Sequence, residues 1–178
     1  MTSREIEEYR ALRDTIRERG TTRVWVVLVA LIAWASLVVA TSALAPRPLP
    51  VTTLLPLAVL ATAFEIVFAL HTSVERIGRY IQVFFEDNDA RGWEHAAMTY
   101  GKTFGGGSDP LFANFFRIAT IINFTPAVYA NPTPVEWGVV GALHLLFIIR
   151  MLVATRDAGR QRAIDLERFQ TLKNQLNS

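Results

Sequence analysis

An apolar run of 20 residues, Val51 to Leu70, constrains the fold of this chain more than any other stretch. A helix needs about 20 apolar residues to cross a hydrocarbon core about 30 Å thick, and only one charge, Glu65, interrupts the run. The sequence then passes without a helix breaker into an amphipathic stretch that ends near Asp89, where apolar residues recur every three or four positions. One long helix is therefore predicted, with its first part in lipid and its second part in water.

Three further apolar stretches have membrane length, so the sequence predicts an all-α integral membrane protein with four transmembrane helices. The spans are predicted at residues 23–45, 51–71, 110–129 and 134–153. The third span is the least hydrophobic and carries Asn114, Arg117 and Asn123, which places it inside the bundle or against a partner. Since the spans take about half of the 178 residues, no room remains for a separate soluble core, and a single membrane domain is expected.

The remaining segments are predicted to lie outside the membrane. They comprise an amphipathic helix at 2–19, a loop at 88–108 and a helical tail at 156–176. Thr2 with Glu5, and Thr133 with Glu136, have the spacing of capping boxes at helix starts. A bend is predicted at residues 20–22, between the first amphipathic helix and the first span.

The loop at 88–108 contains a second, shorter amphipathic pattern. Trp93, Ala96, Ala97 and Tyr100 predict a short helix near the lipid headgroups. The glycine triplet at 105–107 predicts a flexible joint, and Asp109 with Pro110 is the predicted start of the third span. The connection at residues 46–50 is short and rich in proline, so the first two spans are predicted to be antiparallel neighbours.

The distribution of Lys and Arg predicts the orientation of the spans. The N-terminal segment carries six, the loop side of the second helix and the following loop carry four, and the tail carries five. The two other connections carry only Arg47. By the positive-inside rule, both termini and the 88–108 loop are cytoplasmic, and the second and fourth helices extend into the cytoplasm. The excess of Arg (16) over Lys (2) favours a GC-rich bacterial genome, hence the bacterial inner membrane.

Three charges fall at a similar depth near the cytoplasmic ends of the spans. Counted at about 1.5 Å per residue, Glu65, Arg117 and Arg150 all lie within the inner third. An internal ion pair of Glu65 with Arg117 or with Arg150 is the favoured interpretation, because a lone charge in lipid is costly. A proton or ion relay that opens to the cytoplasm is one alternative. Extension of the Arg150 side chain to the lipid headgroups, without a partner, is another.

His144 lies near the predicted midplane of the fourth span, at a depth where Asn123 is the other polar side chain of interest. A hydrogen bond to a neighbouring helix is the favoured role of this imidazole. A single-histidine tetrapyrrole site, for haem or a chlorophyll, and a step in a proton path are the alternatives. Without cysteine, thiolate metal sites are excluded, and no spacing of His71, Glu75 and His95 indicates a metal site.

No catalytic motif stands out, and the net charge of +2 does not indicate nucleic-acid binding. The sequence therefore favours a membrane subunit that is not an enzyme, with apolar seams on its helical extensions, which assembles with itself or with a larger bacterial membrane complex. A homo-oligomeric channel or pore-forming effector, lined by Asn114, Arg117 and Asn123, is the alternative. Pigment or haem binding through His144 is the third hypothesis.

Overall fold

The computed structural model describes residues 1–44, 49–86, 92–104 and 111–178, and within them every regular element is a helix. The elements are α1 (Ser3–Leu44), a 3₁₀ turn (Pro50–Thr53), α2 (Leu54–Phe84), α3 (Trp93–Phe104), α4 (Ala113–Tyr129) and α5 (Pro134–Asn177). The predicted all-α class is confirmed.

Three helices are long and apolar enough to cross a membrane: α1, α2 together with the turn that precedes it, and α5. The fourth predicted span corresponds to α4, which has 17 residues. At a rise of 1.5 Å per residue α4 is about 25 Å long, a little less than a hydrocarbon core of about 30 Å. Three membrane-length helices are thus present in the described part of the chain, and the fourth span stays a prediction.

α1 is continuous where the sequence predicts a bend. The helix runs through residues 20–22 without interruption, and the hydroxyls of Thr21 and Thr22 donate to the carbonyls of Arg17 and Glu18 one turn earlier. A glycine in a helix costs about 1 kcal/mol relative to alanine, which its neighbours in a long helix readily offset. α5 passes Gly159 in the same way, as predicted, and continues to Asn177.

The two predicted capping boxes are confirmed, and the other helix ends differ from prediction by a few residues. The Glu5 and Glu136 carboxylates accept the backbone N–H groups of Thr2 and Thr133, at 2.6 and 2.8 Å. α4 begins at Ala113, after Phe112 in the left-handed region (φ 51°). α2 ends at Phe84, before the predicted limit. The predicted features at Pro46–Pro48, Asn88–Arg91 and 105–110 lie outside the described residues.

The described contacts divide the chain into two compact units, and the single membrane domain stays a prediction. One unit, which we name the apolar unit, comprises Arg23–Phe68 and Leu111–Thr155. The amphipathic unit comprises Met1–Thr22, Ala69–Pro110 and Arg156–Ser178. α1, α2 and α5 contribute one section to each unit, whereas α3 belongs to the amphipathic unit and α4 to the apolar unit.

The core of the apolar unit is built around Phe64 of α2, which is fully buried. Its ring makes edge-to-face contacts with Phe116 of α4 and Phe147 of α5, with centroids 5.5 and 6.0 Å apart. α4 directs its polar side chains Thr120 and Asn123 into this core. Its exposed side carries isoleucines, Ile118, Ile121 and Ile122. Two of the polar side chains of α4 are therefore buried within the chain itself, whereas Asn114 is exposed at its start.

Candidate functional site

Asn123 of α4 is the centre of a buried polar network in the apolar unit, and is 1% exposed. Its Nδ2 donates to the carbonyl of Thr53 at 2.8 Å and lies 3.0 Å from His144 Nε2. Its Oδ1 accepts from the indole Nε1 of Trp34 at 3.1 Å. His144 Nδ1 in turn lies 2.8 Å from the carbonyl of Val140. One amide side chain thus joins α1, the 3₁₀ turn, α4 and α5.

The partners fix the donor and acceptor role of every atom in this network. An indole N–H only donates and a carbonyl only accepts, so Asn123 must turn its oxygen to Trp34 and its NH₂ group to Thr53. The Val140 carbonyl likewise requires a proton on Nδ1 of His144, which leaves Nε2 as the acceptor for the second Asn123 N–H. The network is complete with a neutral His144, and a second proton on the ring would set two donors against each other.

This arrangement bears directly on the tetrapyrrole hypothesis. The Nε2 lone pair that a metal ion would require already accepts a hydrogen bond from Asn123. The cavity beside His144 has a volume of about 210 Å³, and the ring of Phe124 lies 5.0 Å from the imidazole. Sites for small molecules and cofactors usually measure about 300–1,000 Å³. The geometry therefore favours the interhelical role of His144.

The structure brings Glu65 and Arg150 together on the surface of the apolar unit. Arg150 Nη2 donates to Glu65 Oε2 at 2.7 Å, and the guanidinium lies 5.0 Å from the centre of the Phe68 ring. The side chains of Glu65 and Arg150 are 47% and 37% exposed. This ion pair joins α2 to α5 but is not enclosed by the chain.

Arg117 and Asn114 bond to each other instead, at 2.9 Å between Arg117 Nη1 and Asn114 Oδ1. Asn114 is exposed and Asn123 is buried, although both lie on α4. The three polar residues of α4 therefore do not share one surface, because Asn123 faces the core of its own unit.

A cluster of four charges in the amphipathic unit joins α1, α2 and α3. Glu94 accepts from Arg13 Nη1 at 2.6 Å and from Arg79 Nη2 at 3.2 Å, and Glu86 accepts from Arg13 Nη2 at 3.2 Å. The side chains of Arg79, Glu86 and Glu94 are all less than 10% exposed. Burial lowers the pKa of the Arg79 guanidinium, and the nearby carboxylates oppose that shift. Two arginines and two glutamates balance one another.

Glu86 also fixes the start of α3. Its Oε2 accepts the backbone N–H of Glu94 at 2.9 Å, in the first turn of the helix, where a carboxylate interacts favourably with the helix dipole. Glycine leaves room for these carboxylates to approach the backbone. A Cβ at Gly78 would lie 2.8 Å from Glu94 Oε2, and one at Gly92 would lie 2.5 Å from Glu86 Oε2. His95 Nδ1 lies 3.7 Å from Glu86 Oε2.

The helical tail packs on α2 within the same unit. Phe169 contacts the rings of Tyr80 and Phe84, with centroids 5.6 and 6.4 Å apart, and Lys173 Nζ donates to the carbonyl of Val83. Ion pairs Arg162–Glu75 and Arg76–Asp165 add to this contact. The sequence pattern predicts an apolar seam along the tail, formed by Ile164 or Leu166 with Phe169, Leu172 and Leu176. This seam is divided: Phe169 packs inward and Leu166 is half-buried, whereas the other three residues are exposed.

Comparisons with protein-family models, with curated proteins and with solved structures found no match to this chain. Within the described residues, no group of three or more histidines and carboxylates is placed to hold a metal ion. What the chain does must therefore be inferred from its polar clusters and its surfaces.

Replacement of Asn123 by leucine is expected to destabilise the apolar unit. The change leaves Trp34, Thr53 and His144 without a shared partner, and at about 0.6 kcal/mol per interhelical bond in a membrane protein the loss is roughly 2 kcal/mol. Circular dichroism of the purified protein in mild detergent should show a lower Tm. Asn114→Leu, at an exposed position on the same helix, is the matched control. Equal Tm values for the two variants would contradict the central role of the network.

Removal of one negative charge from the four-charge cluster, by Glu94→Gln, is expected to loosen α3. Loss of one partner from a buried pair costs about 3–5 kcal/mol. The loss here should be smaller, because glutamine keeps one oxygen acceptor and the Arg13 side chain is 25% exposed, although Arg79 is buried. Hydrogen exchange should become faster in α3. Glu7→Gln, at an exposed position of α1, serves as the control. Unchanged exchange in α3 would show that the cluster does not hold this helix.

Proposed function

We propose that this chain is a non-catalytic subunit of a bacterial membrane complex, which assembles laterally through the face that carries Glu65 and Arg150. The observation that carries this proposal is the exposed ion pair on helices of membrane length. Asn123 and His144, by contrast, are buried within the apolar unit and hydrogen-bonded to each other. Glu65 and Arg150 bond to each other and leave much of their polar surface open.

The exposure of Glu65 and Arg150 is informative because a charged side chain in contact with lipid is energetically unfavourable. A single Arg or Asp at the centre of a membrane helix costs about 2.5–3.5 kcal/mol on insertion scales. The cost is smaller towards the inner third, where Glu65 and Arg150 are predicted to lie, and pairing reduces it further without removing it. Lipid tails offer no hydrogen bonds to the remaining oxygen and N–H groups. A second protein surface offers them, so burial of the pair against another chain stabilises the assembly and gives it a defined register.

The topology that supports this role is a bundle of four spans with both termini in the cytoplasm of a bacterium. α4 serves as the fourth span, since its outward isoleucines suit lipid and its polar residues Thr120 and Asn123 face inward. The Lys and Arg distribution supports the orientation. In the tail, exposed Ile164, Leu172 and Leu176 offer a further apolar surface for a subunit in the cytoplasm.

The two alternative functions receive less support from the geometry. A channel lined by Asn114, Arg117 and Asn123 requires these side chains on one surface, whereas Asn123 is buried in a hydrogen-bond network of its own chain. Pigment or haem binding through His144 requires the lone pair that Asn123 already engages. The lateral ion pair requires no such rearrangement to meet a partner.

Photocrosslinking in intact membranes tests the proposal. Since the chain has no cysteine of its own, a cysteine introduced at one position can be labelled there specifically. Ile66→Cys places a benzophenone maleimide beside Glu65 at a position that is 44% exposed, and Val39→Cys on α1, 66% exposed, is the matched control. We expect a protein adduct from position 66 and lipid labelling alone from position 39. The mass of the adduct distinguishes a second copy from a different subunit.

The ion pair itself is tested by adding Glu65→Ala and Arg150→Ala to the Ile66→Cys chain. The adduct should be lost or strongly reduced, while circular dichroism should show the same helical content. Lipid labelling alone at both positions, or an adduct that survives removal of both charges, would contradict assembly through this face.

A further inference from the structure

α3 carries an aromatic face that the chain itself does not cover. Trp93, Tyr100 and Phe104 are 69%, 65% and 70% exposed. At about 100° per residue, these three residues and Ala97 fall within a sector of about 60° around the helix. The rings of Tyr100 and Phe104 lie 4.9 Å apart and pack on each other. This face, defined by the four residues, is called the aromatic face of α3.

The opposite side of α3 is the side that attaches it to its own unit. Glu94 is buried in the four-charge cluster, and His95 and Met98 are half-buried. These three residues lie outside the aromatic sector by the same helical geometry. The attachment through Arg13, Arg79 and Glu86 is specific, so α3 is held with its aromatic face turned away from the chain.

The composition of this face suits the boundary between lipid and water. Trp and Tyr combine an apolar ring with an N–H or O–H group that requires a polar partner, and both are enriched at membrane interfaces. Phe104 and Ala97 add apolar area without charge. An amphipathic helix of this kind lies in the plane of the membrane with its apolar side among the headgroups and upper acyl chains.

The point at which α3 attaches to α2 lies close enough to the end of the apolar run of α2 for α3 to reach the headgroup layer. The apolar run of α2 ends at His71, and the Glu94 carboxylate approaches α2 at Gly78, seven residues farther along. Seven residues correspond to about 10 Å. The headgroup layer on one side of a bilayer is about 5–8 Å thick, and a helix with its side chains has a radius of about 5–6 Å. A helix attached there reaches the headgroups.

We propose that α3 is an interfacial helix whose aromatic face inserts into the headgroup region of the bilayer that the chain spans. The inference extends the predicted position of this segment near the headgroups to a defined face of α3 and its attachment, and it rests on the proposed membrane topology. Its partner is lipid and not another subunit. The four-charge cluster acts as the clamp that holds α3 to α2, and the aromatic face anchors α2 at a fixed depth.

Spin-label accessibility tests this proposal on the complete chain, purified and reconstituted into liposomes. Ala97→Cys places a nitroxide on the aromatic face and leaves all three rings intact, and the chain has no other cysteine. Thr99→Cys is the matched control, exposed on the same helix but about 130° from the centre of that face. We expect the ratio of oxygen to nickel-complex accessibility to be severalfold higher at position 97 than at position 99.

The same accessibility ratio is measured in detergent-solubilised protein without lipid. Circular dichroism should show the same helical content in both samples, so that a change in the ratio is not caused by unfolding. Equal ratios at the two positions in liposomes, with ready access to the nickel complex, would place the aromatic face in water and overturn the proposal. A label at position 97 that is shielded from both reagents would show that a protein surface, such as a second copy, covers this face, and would overturn it as well. The readout is independent of the crosslinks at position 66, so failure of one proposal is distinguishable from failure of the other.

Discussion

Inside a bilayer a polar side chain has no water to bond, so it needs hydrogen-bond partners within the protein. The Asn123 network supplies such partners for a buried amide. One amide satisfies an indole, a backbone carbonyl and an imidazole, which come from three other elements of the apolar unit. The apolar packing around Phe64 is non-directional, whereas these bonds accept only one arrangement of α1, α4, α5 and the 3₁₀ turn. Directional bonds of this kind give a membrane bundle its register, since lipid tails are as apolar as the core itself.

The need for hydrogen-bond partners divides the polar and aromatic groups into closed sites, whose partners all lie within the chain, and open sites, which the chain leaves exposed. The four-charge cluster of Arg13, Arg79, Glu86 and Glu94 balances its charges within the amphipathic unit and so holds α3 in place. Glu65 with Arg150, and the aromatic face of α3, are left open by the chain. Closed polar sites explain how the chain folds. The open sites carry the two proposals: contact with a protein surface for Glu65 and Arg150, and contact with the lipid headgroups for the aromatic face.

Sequence periodicity predicted the helices and two of their caps, because those features depend on neighbours within a few residues. The interpretation of α4 required the structure: a polar helix can turn its amides inward or towards a partner, and only the packing of Asn123 against Thr53 and His144 shows the direction. The charge cluster had no signal in the sequence. Arg13 and Glu94 are 81 positions apart and neither has a spacing that marks it as paired. The sequence also left open which arginine would meet Glu65, and the structure pairs it with Arg150.

The mass of the particle that contains the untagged chain, extracted from its membrane together with the surrounding lipid, tests the central claim most directly. Assembly through the Glu65–Arg150 face predicts a particle that contains either several copies of this 19.9 kDa chain or one larger subunit in fixed ratio to it. The Glu65→Ala, Arg150→Ala double variant should then yield the chain alone. A single chain with lipid and no second protein, before any variant is introduced, would contradict the account.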